Sequence, residues 1–566
     1  MNHKLLECVP NFSEGRDTKI IEKIVNEVQT TKGVTLLNVD PGKATNRTVV
    51  TFVGNPNSVI KAAFKLIKKS SELIDMEKHS GEHPRMGATD VCPLIPVSNI
   101  TMEETIIYAQ KLGEKVGNEL NIPVYLYENS AIKKYRRNLS DIREGEYEGL
   151  KNKLKDEKWK PDFGSQTFET IKKSGATAIG ARDFLIAYNI NLNTTSTRRA
   201  NAIAFDIREK GRIARKGGTL TGQILKDKNG NTIWKKGSLK YVKAIGWFIE
   251  EYGVAQISMN LTNITKTPIH IVFDEVCRKA EKRGIRVTGS ELVGLIPLKS
   301  MIDAGKYFLK KQNRSCGIAE SEIIKIAQKT MGLDEIEPFN PSERIIEYQI
   351  KNKEKNLCQL SLTDFLQETA SESPAPGGGS ISAYIGALGA SLATMVANLS
   401  SHKRGWDDKW EQFSMLAEKG QTYILQLEKL VDEDTKAFNN IISAFRLAEN
   451  TKKEKAYKSA EIQKATLYAI HIPLQIMQNS LESMDLIKTL AISGNPNSVS
   501  DAGVAAACAR SAVLGGYLNV MINIKDYDNE TEKNKIINKA EKIKEKAIKK
   551  EAQILKKTIQ IIQKPI

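Results

Sequence analysis

Residues 48–76 read TVVTFVGNPNSVIKAAFKLIKKSSELIDM and predict a strand followed by a capped helix. The β-branched run before Gly54 is typical of a strand. Asn55 and Pro56 indicate a helix start, because asparagine accepts an amide hydrogen bond and proline fits the first helical position. Outward from this stretch, strands are predicted at 5–9, 34–39 and 89–96, and a helix at 17–31. This β-α-β-β-α-β order predicts a ferredoxin-like sandwich with additional elements after it.

A second run of the same order follows, and then the pattern changes. Strands are predicted at 184–192, 241–250, 253–261 and 285–293, with helices at 196–209 and 267–283. A basic insertion at 212–240 carries Asn229-Gly230, which predicts a tight hairpin. Beyond residue 356 amphipathic helices dominate. We therefore predict an α+β N-terminal part of two ferredoxin-like βαββαβ subdomains (residues 1–180 and 181–350), a linker at 351–358 and an all-α helical C-terminal domain at 359–566.

The composition is that of a basic protein without an obvious disulfide framework. The 566 residues carry a formal net charge of +17. A nucleic-acid partner, solvated helix faces and attraction of a small polyanionic substrate all remain possible readings of this charge. Because the lysines mix with glutamates, we favour solvated faces and expect no nucleic-acid partner. The six cysteines show no C-x-x-C spacing and suit a reducing cytosol, so we expect a cytoplasmic location.

Two apolar stretches in the helical part need a structural assignment. Residues 381–399 are about long enough to cross a bilayer, but they are rich in small residues and no aromatic belt flanks them. We predict a buried helix of a bundle or subunit interface there, and no transmembrane segment. The apolar stripe of the final helix, roughly 532–563, is expected to pack on the bundle or on a partner helix.

The loop at residues 81–87 reads GEHPRMG and is a candidate site. His79 and His83 are two of only six histidines. The H-x-x-E-H spacing that they form suggests a zinc site, but Gly81 and Pro84 disfavour the helix that such a site needs. We therefore expect no metal. The remaining alternatives are a loop histidine without chemistry and a general acid/base at His83, with Arg85 beside it to bind an anion.

The helical part offers a second candidate in Asp434. The spacing of Leu427, Leu430, Ala437 and Phe438 puts position 434 on the apolar stripe of its helix. A carboxylate there must be paired or protonated, and desolvation would raise its pKa. A core aspartate satisfied by an amide or an arginine remains the alternative.

The glycine run at residues 377–379 precedes the apolar helix. Gly377, Gly378 and Gly379 would allow close backbone approach, and a helix N-terminus attracts negative charge. A flexible linker, which can have the same glycine-rich sequence, is the alternative.

Many short sequence motifs, in the same order along the chain, resemble those of the formimidoyltransferase–cyclodeaminase family, and they cover essentially the whole chain. They lie at 7–15, 38–40, 45–48, 81–87, 159–164, 175–177, 180–182, 187–191, 375–380, 431–434, 500–504 and 519–525. The resemblance implies a bifunctional folate enzyme of histidine degradation. Its N-terminal part would transfer the formimidoyl group from N-formimidoyl-L-glutamate to tetrahydrofolate. Its helical part would cyclise 5-formimidoyltetrahydrofolate to 5,10-methenyltetrahydrofolate with release of ammonia.

The resemblance also implies site residues and partners. It makes His83 the catalytic histidine of the transferase and Asp434 the proton-transfer group of the cyclodeaminase. It places a folate-contacting loop between Gly164 and Gly175. The residues expected to bind or orient substrate or folate are Asp40, Asn46, Arg85, Gly164, Gly175, Gly377, Gly378 and Gly379. Tetrahydrofolate, as a polyglutamate, would be a co-substrate, with no tightly bound cofactor, and the protein would be a homo-oligomer.

Two alternatives to this function remain open at the level of sequence. The helical domain also resembles stand-alone methenyltetrahydrofolate cyclohydrolases, so its reaction could be water addition without deamination. A non-catalytic scaffold that binds folate or nucleic acid is the other alternative, and it would bind tightly without turnover.

Overall fold

The computed structural model describes residues 4–43, 45–81, 84–218, 222–250, 252–350 and 356–563. The chain divides into two compact units, one of Met1–Met301 with Met331–Lys351 and one of Ile302–Thr330 with Asn352–Ile566. The first contains mixed sheets and helices, and the second is helical. The predicted fold class is thereby confirmed.

The first sheet contains the predicted ferredoxin-like order. Its strands are β1 (Leu5–Cys8), β2 (Asn11–Phe12), β3 (Val34–Gly42), β4 (Arg47–Gly54), β5 (Thr89–Ser98), β6 (Val124–Glu128) and β7 (Thr177–Ala181). The helices are α1 (Thr18–Gln29), α2 (Pro56–Leu73), α3 (Met102–Leu120), α4 (Leu139–Arg143), α5 (Glu146–Lys153) and α6 (Phe168–Ile171). Strands β1 and β2 together form one interrupted strand between β4 and β5, and β3 pairs with β4. Strands β7 and β6 extend the sheet in parallel beyond β5.

Helix α2 shows why the opening stretch folds as predicted. The Asn55 side chain accepts a hydrogen bond of 3.0 Å from the Ser58 amide, and Pro56 is the first helical residue. The face that carries Val59 and Leu66 is buried against the sheet. Burial of each such aliphatic side chain contributes about 1.5–3 kcal/mol, so packing and capping fix the same helix. The helix ends at Leu73 rather than at Met76, because Ile74 adopts an extended backbone.

The second sheet has the order β11-β12-β8-β13 and is antiparallel throughout. The elements of this part are β8 (Ile186–Leu192), α7 (Thr197–Ile207), β9 (Arg212–Ile213), β10 (Trp234–Lys235), β11 (Val242–Ile249), β12 (Val254–Leu261), α8 (Ile269–Glu281) and β13 (Val287–Val293). The predicted hairpin at Asn229-Gly230 is confirmed. The Asp227 side chain accepts from the amides of Asn229 (2.9 Å) and Asn231 (2.8 Å) and closes the turn.

The remaining elements are helices. They are α9 (Leu298–Lys311), α10 (Glu320–Met331), α11 (Pro341–Arg344), α12 (Ile346–Ile350), α13 (Leu362–Thr369), α14 (Gly378–Ser401), α15 (Trp410–Phe445), α16 (Lys452–Ser493), α17 (Val499–Asn523) and α18 (Glu530–Ile562). The apolar stripe of α18 packs into the bundle core through Ile536, Ala540, Ile543 and Ile554, as predicted. Most of the predicted linker, residues 351–355, lies outside the described residues.

Helix α14 contains the apolar stretch whose length suggested a membrane span. It packs against α15, α16 and α17. A Cβ on Gly386 would lie 2.7 Å from the Ser480 hydroxyl, so the small residue permits the close helix approach. Within the described residues, α14 and the segment 496–526 are long and apolar enough to cross a membrane by length and composition alone. The apolar window of α14 is 61% buried inside the bundle, as a core helix would be.

Candidate active sites

The predicted transferase site lies in the segment between α2 and β5. Glu82 and His83 lie outside the described residues, and the structure shows the residues on either side of them. Residues 79–81 are not helical, whereas an H-x-x-E-H zinc site needs both histidines on one face of a helix. Among the described side chains, no group of three His, Cys, Asp or Glu is placed to hold a metal ion.

Asn46 holds this segment in place. It is buried and has a positive φ of 46°. Its Oδ1 accepts from the Gly15 amide (3.0 Å), and its Nδ2 donates to the Ser80 carbonyl (2.9 Å). Both ends of the side chain are therefore used inside the protein. This geometry gives Asn46 a positioning role for the His83 segment, and its contact with substrate stays a prediction.

His79 is the second anchor of the same segment. Arg85 Nε lies 3.2 Å from His79 Nδ1, and His79 Nε2 lies 2.9 Å from the Asn46 carbonyl oxygen. A guanidinium can only donate, so Nδ1 accepts and the proton of the neutral imidazole is on Nε2. Nε2 then donates to the Asn46 carbonyl. His79 thus links the Asn46 turn to the residue two positions after His83.

Arg85 is buried, with 7% of its surface exposed. Its Nη1 lies 3.0 Å from Glu146 Oε2, and its Nη2 lies 2.7 Å from Glu148 Oε1. The hydrogen bond to Glu148 is the largest of the contacts that raise the Arg85 pKa. A substrate carboxylate would have to replace one of these two glutamates. The predicted carboxylate-binding role of Arg85 therefore requires an exchange of partners.

Gly164 and Gly175, the ends of the predicted folate loop, both require glycine. Their φ values are 84° and 64°, in the left-handed region that favours glycine. A Cβ on Gly175 would lie 2.3 Å from the Met86 carbonyl oxygen, and the Ala176 amide donates to the same oxygen at 2.9 Å. Gly175 therefore places this end of the loop directly beside the His83 segment. Asp40 lies on β3 opposite Val49 with an exposed side chain, and its role stays a prediction.

Removing the Asn46 side chain tests its positioning role. We expect Asn46→Gly to lower transferase kcat and to destabilise the fold by about 1–3 kcal/mol, because buried partners lose their hydrogen bonds. Asn46→Ala should destabilise further, since alanine also strains the positive φ. Denaturant unfolding and initial rates measure both effects. Equal transferase rates in wild type and Asn46→Gly would contradict the positioning role.

The second site lies where α15 meets the N-terminus of α14. Asp434 Oδ2 accepts from the Ser380 amide (2.8 Å) and lies 3.1 Å from the Ser380 hydroxyl. A Cβ on Gly379 would lie only 2.1 Å from Asp434 Oδ1. The predicted glycine run and the predicted aspartate thus form one site. Glycine is required at 379 because the carboxyl group occupies the space of a side chain.

Opposing effects set the pKa of Asp434. Burial raises it, and the hydrogen bonds from the Ser380 hydroxyl and amide lower it, with a net rise above the usual aspartate range. The positive end of the α14 dipole also favours the ionised form. A carboxyl group held between these influences can take up and release a proton closer to neutrality than an exposed aspartate.

The stripe prediction for α15 is correct for most positions and wrong for one. Leu427, Leu430 and Ala437 are buried, and Asp434 is half-buried among them. Phe438 was placed on the stripe but is 40% exposed. Asp432 lies off the stripe, and its Oδ1 accepts from the Leu357 amide at 2.8 Å.

Sequence reasoning missed several partners at the two sites. No sequence pattern indicates Glu146 or Glu148, and Ser380 is indicated only by the matching string at 375–380. Asn519 on α17 is a further residue of the second site. Its Nδ2 lies 3.2 Å from where a Cβ on Gly378 would be. These partners are separated by at least 54 residues along the chain, so no local pattern signals them. Only the matching string at 519–525 could have pointed to Asn519.

Gly379→Ala is expected to disrupt the second site selectively. The added methyl would overlap Asp434 Oδ1, and such overpacking costs about 1–3 kcal/mol. We expect lower stability and a loss of most cyclodeaminase activity, with transferase activity retained. Gly149→Ala is the matched control, because Gly149 lies on α5, outside the second site, and no described atom lies within 4 Å of where its Cβ would be. Thermal unfolding and ammonia release measure the two effects, and similar behaviour of both variants would contradict the geometry.

Family models match three successive parts of the chain. Residues 5–182 match the formiminotransferase domain, N-terminal subdomain, and residues 187–351 match the formiminotransferase domain. Residues 361–542 match the model described as formiminotransferase-cyclodeaminase. The matches follow the two sheets and the helical bundle in order.

Individual relatives show the same division. A mouse formimidoyltransferase-cyclodeaminase is 41% identical over 534 residues, which cover 94% of each chain. A glutamate formimidoyltransferase of Streptococcus pyogenes serotype M1 is 40% identical over 55% of this chain and 95% of its own length. A methenyltetrahydrofolate cyclohydrolase of Methylorubrum extorquens is 36% identical over 30% of this chain and 81% of its own length.

The fold and these matches define a bifunctional folate enzyme with a transferase part and a helical cyclodeaminase part. At 41% identity over nearly the full length of both chains, the protein belongs to the formimidoyltransferase-cyclodeaminase family.

Proposed function

We propose that this enzyme transfers the formimidoyl group of N-formimidoyl-L-glutamate to tetrahydrofolate and then closes the product to 5,10-methenyltetrahydrofolate, releasing ammonia in histidine degradation. The observation that carries the proposal is the Asp434–Ser380–Gly379 arrangement, found in a chain that matches both parts of the family. Each part of the chain supplies one ionisable group suited to proton transfer.

In the transfer step, N5 of tetrahydrofolate attacks the formimidoyl carbon and a tetrahedral intermediate forms. N5 must lose a proton, and the glutamate nitrogen must gain one before it leaves. His83 is proposed to carry that proton, because the imidazole side chain is suited to accepting and donating a proton at neutral pH. The Asn46, His79 and Arg85 contacts support this role, since they fix the chain on both sides of His83.

In the ring-closing step, N10 attacks the amidine carbon and the terminal nitrogen leaves as ammonia. Starting from the protonated amidinium, N10 loses one proton and the terminal nitrogen gains one to leave as ammonia, so a single carboxyl group at Asp434 can carry out both transfers. The Ser380 hydroxyl has one hydrogen and lies near two acceptors, the Val431 carbonyl (2.9 Å) and Asp434 Oδ2 (3.1 Å). When the hydroxyl donates to Val431, its oxygen can accept from a protonated Asp434. Asp434 can therefore form a hydrogen bond with the Ser380 hydroxyl in both its ionised and its protonated form.

A coupled assay tests the proposal. The full chain is mixed with N-formimidoylglutamate and tetrahydrofolate, and ammonia and methenyl absorbance are followed together. Equal amounts of both products, formed at the same time, are expected. The similarity to the Methylorubrum cyclohydrolase favours one alternative, in which the helical part hydrates or dehydrates folate without deamination. Methenyl turnover without ammonia release from 5-formimidoyltetrahydrofolate would select that alternative, and binding without turnover would select a scaffold.

Further proposals concern cofactor, location and assembly. We propose polyglutamylated tetrahydrofolate as a co-substrate, with no tightly bound cofactor. A cytoplasmic location is supported by Cys8 and Cys92, which are free thiols although their Sγ atoms lie 3.5 Å apart, within hydrogen-bond distance. Homo-oligomer formation is supported by apolar side chains that α14 and α17 leave exposed. They are Leu388, Met395, Leu399, Leu518 and Ile522.

A further inference from the structure

A cavity of about 770 Å³ lies against helix α7 of the second ferredoxin-like subdomain. Four arginines line it: Arg198, Arg199, Arg212 and Arg283. The surrounding segment is unusually basic, since residues 196–243 contain thirteen Lys and Arg but only three Asp and Glu. This short segment therefore accounts for more than half of the net charge of +17. The four guanidinium groups form a concentrated positive field around a concave surface.

The protein holds two of the four guanidinium groups, those of Arg212 and Arg283, in position. Asp206 pairs through one carboxylate oxygen with Arg212 and through the other with Arg283. Arg212 also donates to the Ala202 carbonyl (2.7 Å), and Arg283 to the Lys279 carbonyl (3.0 Å). Solvated surface arginines are usually mobile and repel one another. Here a single carboxylate fixes two of the four and neutralises only one charge, which leaves a preorganised excess of positive charge.

The wall of the cavity is also fixed. Asn201 on α7 donates to the Gly246 carbonyl (2.8 Å) and accepts from the Gly246 amide (3.0 Å), which ties the helix to strand β11. Phe205 adds an apolar surface to the lining. Arg198 and Arg199 are exposed at the first turn of α7. A concave wall that is tied to β11, with exposed arginines at its rim, is suited to enclosing a ligand.

We propose that this cavity binds a small polyanion that carries two or more phosphate or carboxylate groups. The planar fork of an arginine matches both groups through paired N–H···O bonds. The volume is within the range of small-molecule sites. The site involves neither His83 nor Asp434, so the proposal goes beyond the transfer and ring-closing reactions and does not depend on them.

Calorimetric titration of the full chain tests the proposal with two probes, tripolyphosphate and tri-γ-glutamate. We expect saturable binding of at least one probe, and the probe that binds more tightly identifies phosphate or carboxylate as the ligand group. The double variant Arg198→Gln/Arg199→Gln should weaken that binding at least about tenfold. Both residues are exposed, so the fold should persist, and circular dichroism checks this.

The matched control is Lys226→Gln/Lys228→Gln in the exposed hairpin of the same insertion, which removes the same charge outside the cavity. It should weaken binding less than about twofold. Equal weakening by both double variants would show a general charge effect and overturn the site. Failure of wild type to bind either probe would overturn it as well, and neither result bears on the two catalytic reactions.

Discussion

Asp434→Asn is expected to lower ammonia release from 5-formimidoyltetrahydrofolate by about 10²–10⁴-fold, the usual effect of losing a general acid/base. The amide keeps an oxygen that can accept from the Ser380 amide, so the local structure should persist. It cannot take up and return a proton near neutral pH. The variant therefore separates proton transfer from the structural contact that Asp434 makes with the N-terminus of α14.

Two controls make this result specific. Asp432→Asn removes a carboxylate two positions away, which accepts from the Leu357 amide, and it should leave ammonia release close to wild type. Transferase activity of Asp434→Asn should also be unchanged. If Asp434→Asn releases ammonia at the wild-type rate, Asp434 is only a helix cap and another group carries the proton.

His83→Ala should produce the reverse pattern. We expect transferase activity to fall by about 10²–10⁴-fold, because no imidazole remains to remove the proton from the attacking nitrogen. Cyclodeaminase activity with supplied 5-formimidoyltetrahydrofolate should be retained. Initial rates of the two half-reactions, measured separately on the same preparation, give both values.

His83→Ala and Asp434→Asn are controls for each other, because each is expected to lose one activity and to keep the other. Loss of both activities in His83→Ala would indicate misfolding rather than lost chemistry, and circular dichroism with thermal unfolding would detect it. Transferase rates equal to wild type would remove His83 from the mechanism. In that case His79, the described histidine of the same segment, would have to be tested next.

The elements that sequence predicted best are those specified by neighbouring residues. The Asn55-Pro56 start of α2 and the Asn229-Gly230 turn are fixed by contacts within a few residues, and the structure contains both. The order of both ferredoxin-like sheets followed from strand and helix periodicity. The end of α2 and the exposure of Phe438 were predicted less well, because burial there depends on neighbours that the local pattern does not name.

For the candidate sites as well, local sequence patterns predicted some features and tertiary packing decided the others. The sequence by itself determined that a histidine, an arginine and an aspartate stand in suitable patterns, and that glycine precedes the apolar helix. Only the tertiary structure decided what those residues contact. Arg85 meets Glu146 and Glu148, and Asp434 meets Ser380. These contacts join residues 54 to 63 positions apart, and at such distances chain packing rather than local spacing selects the partner.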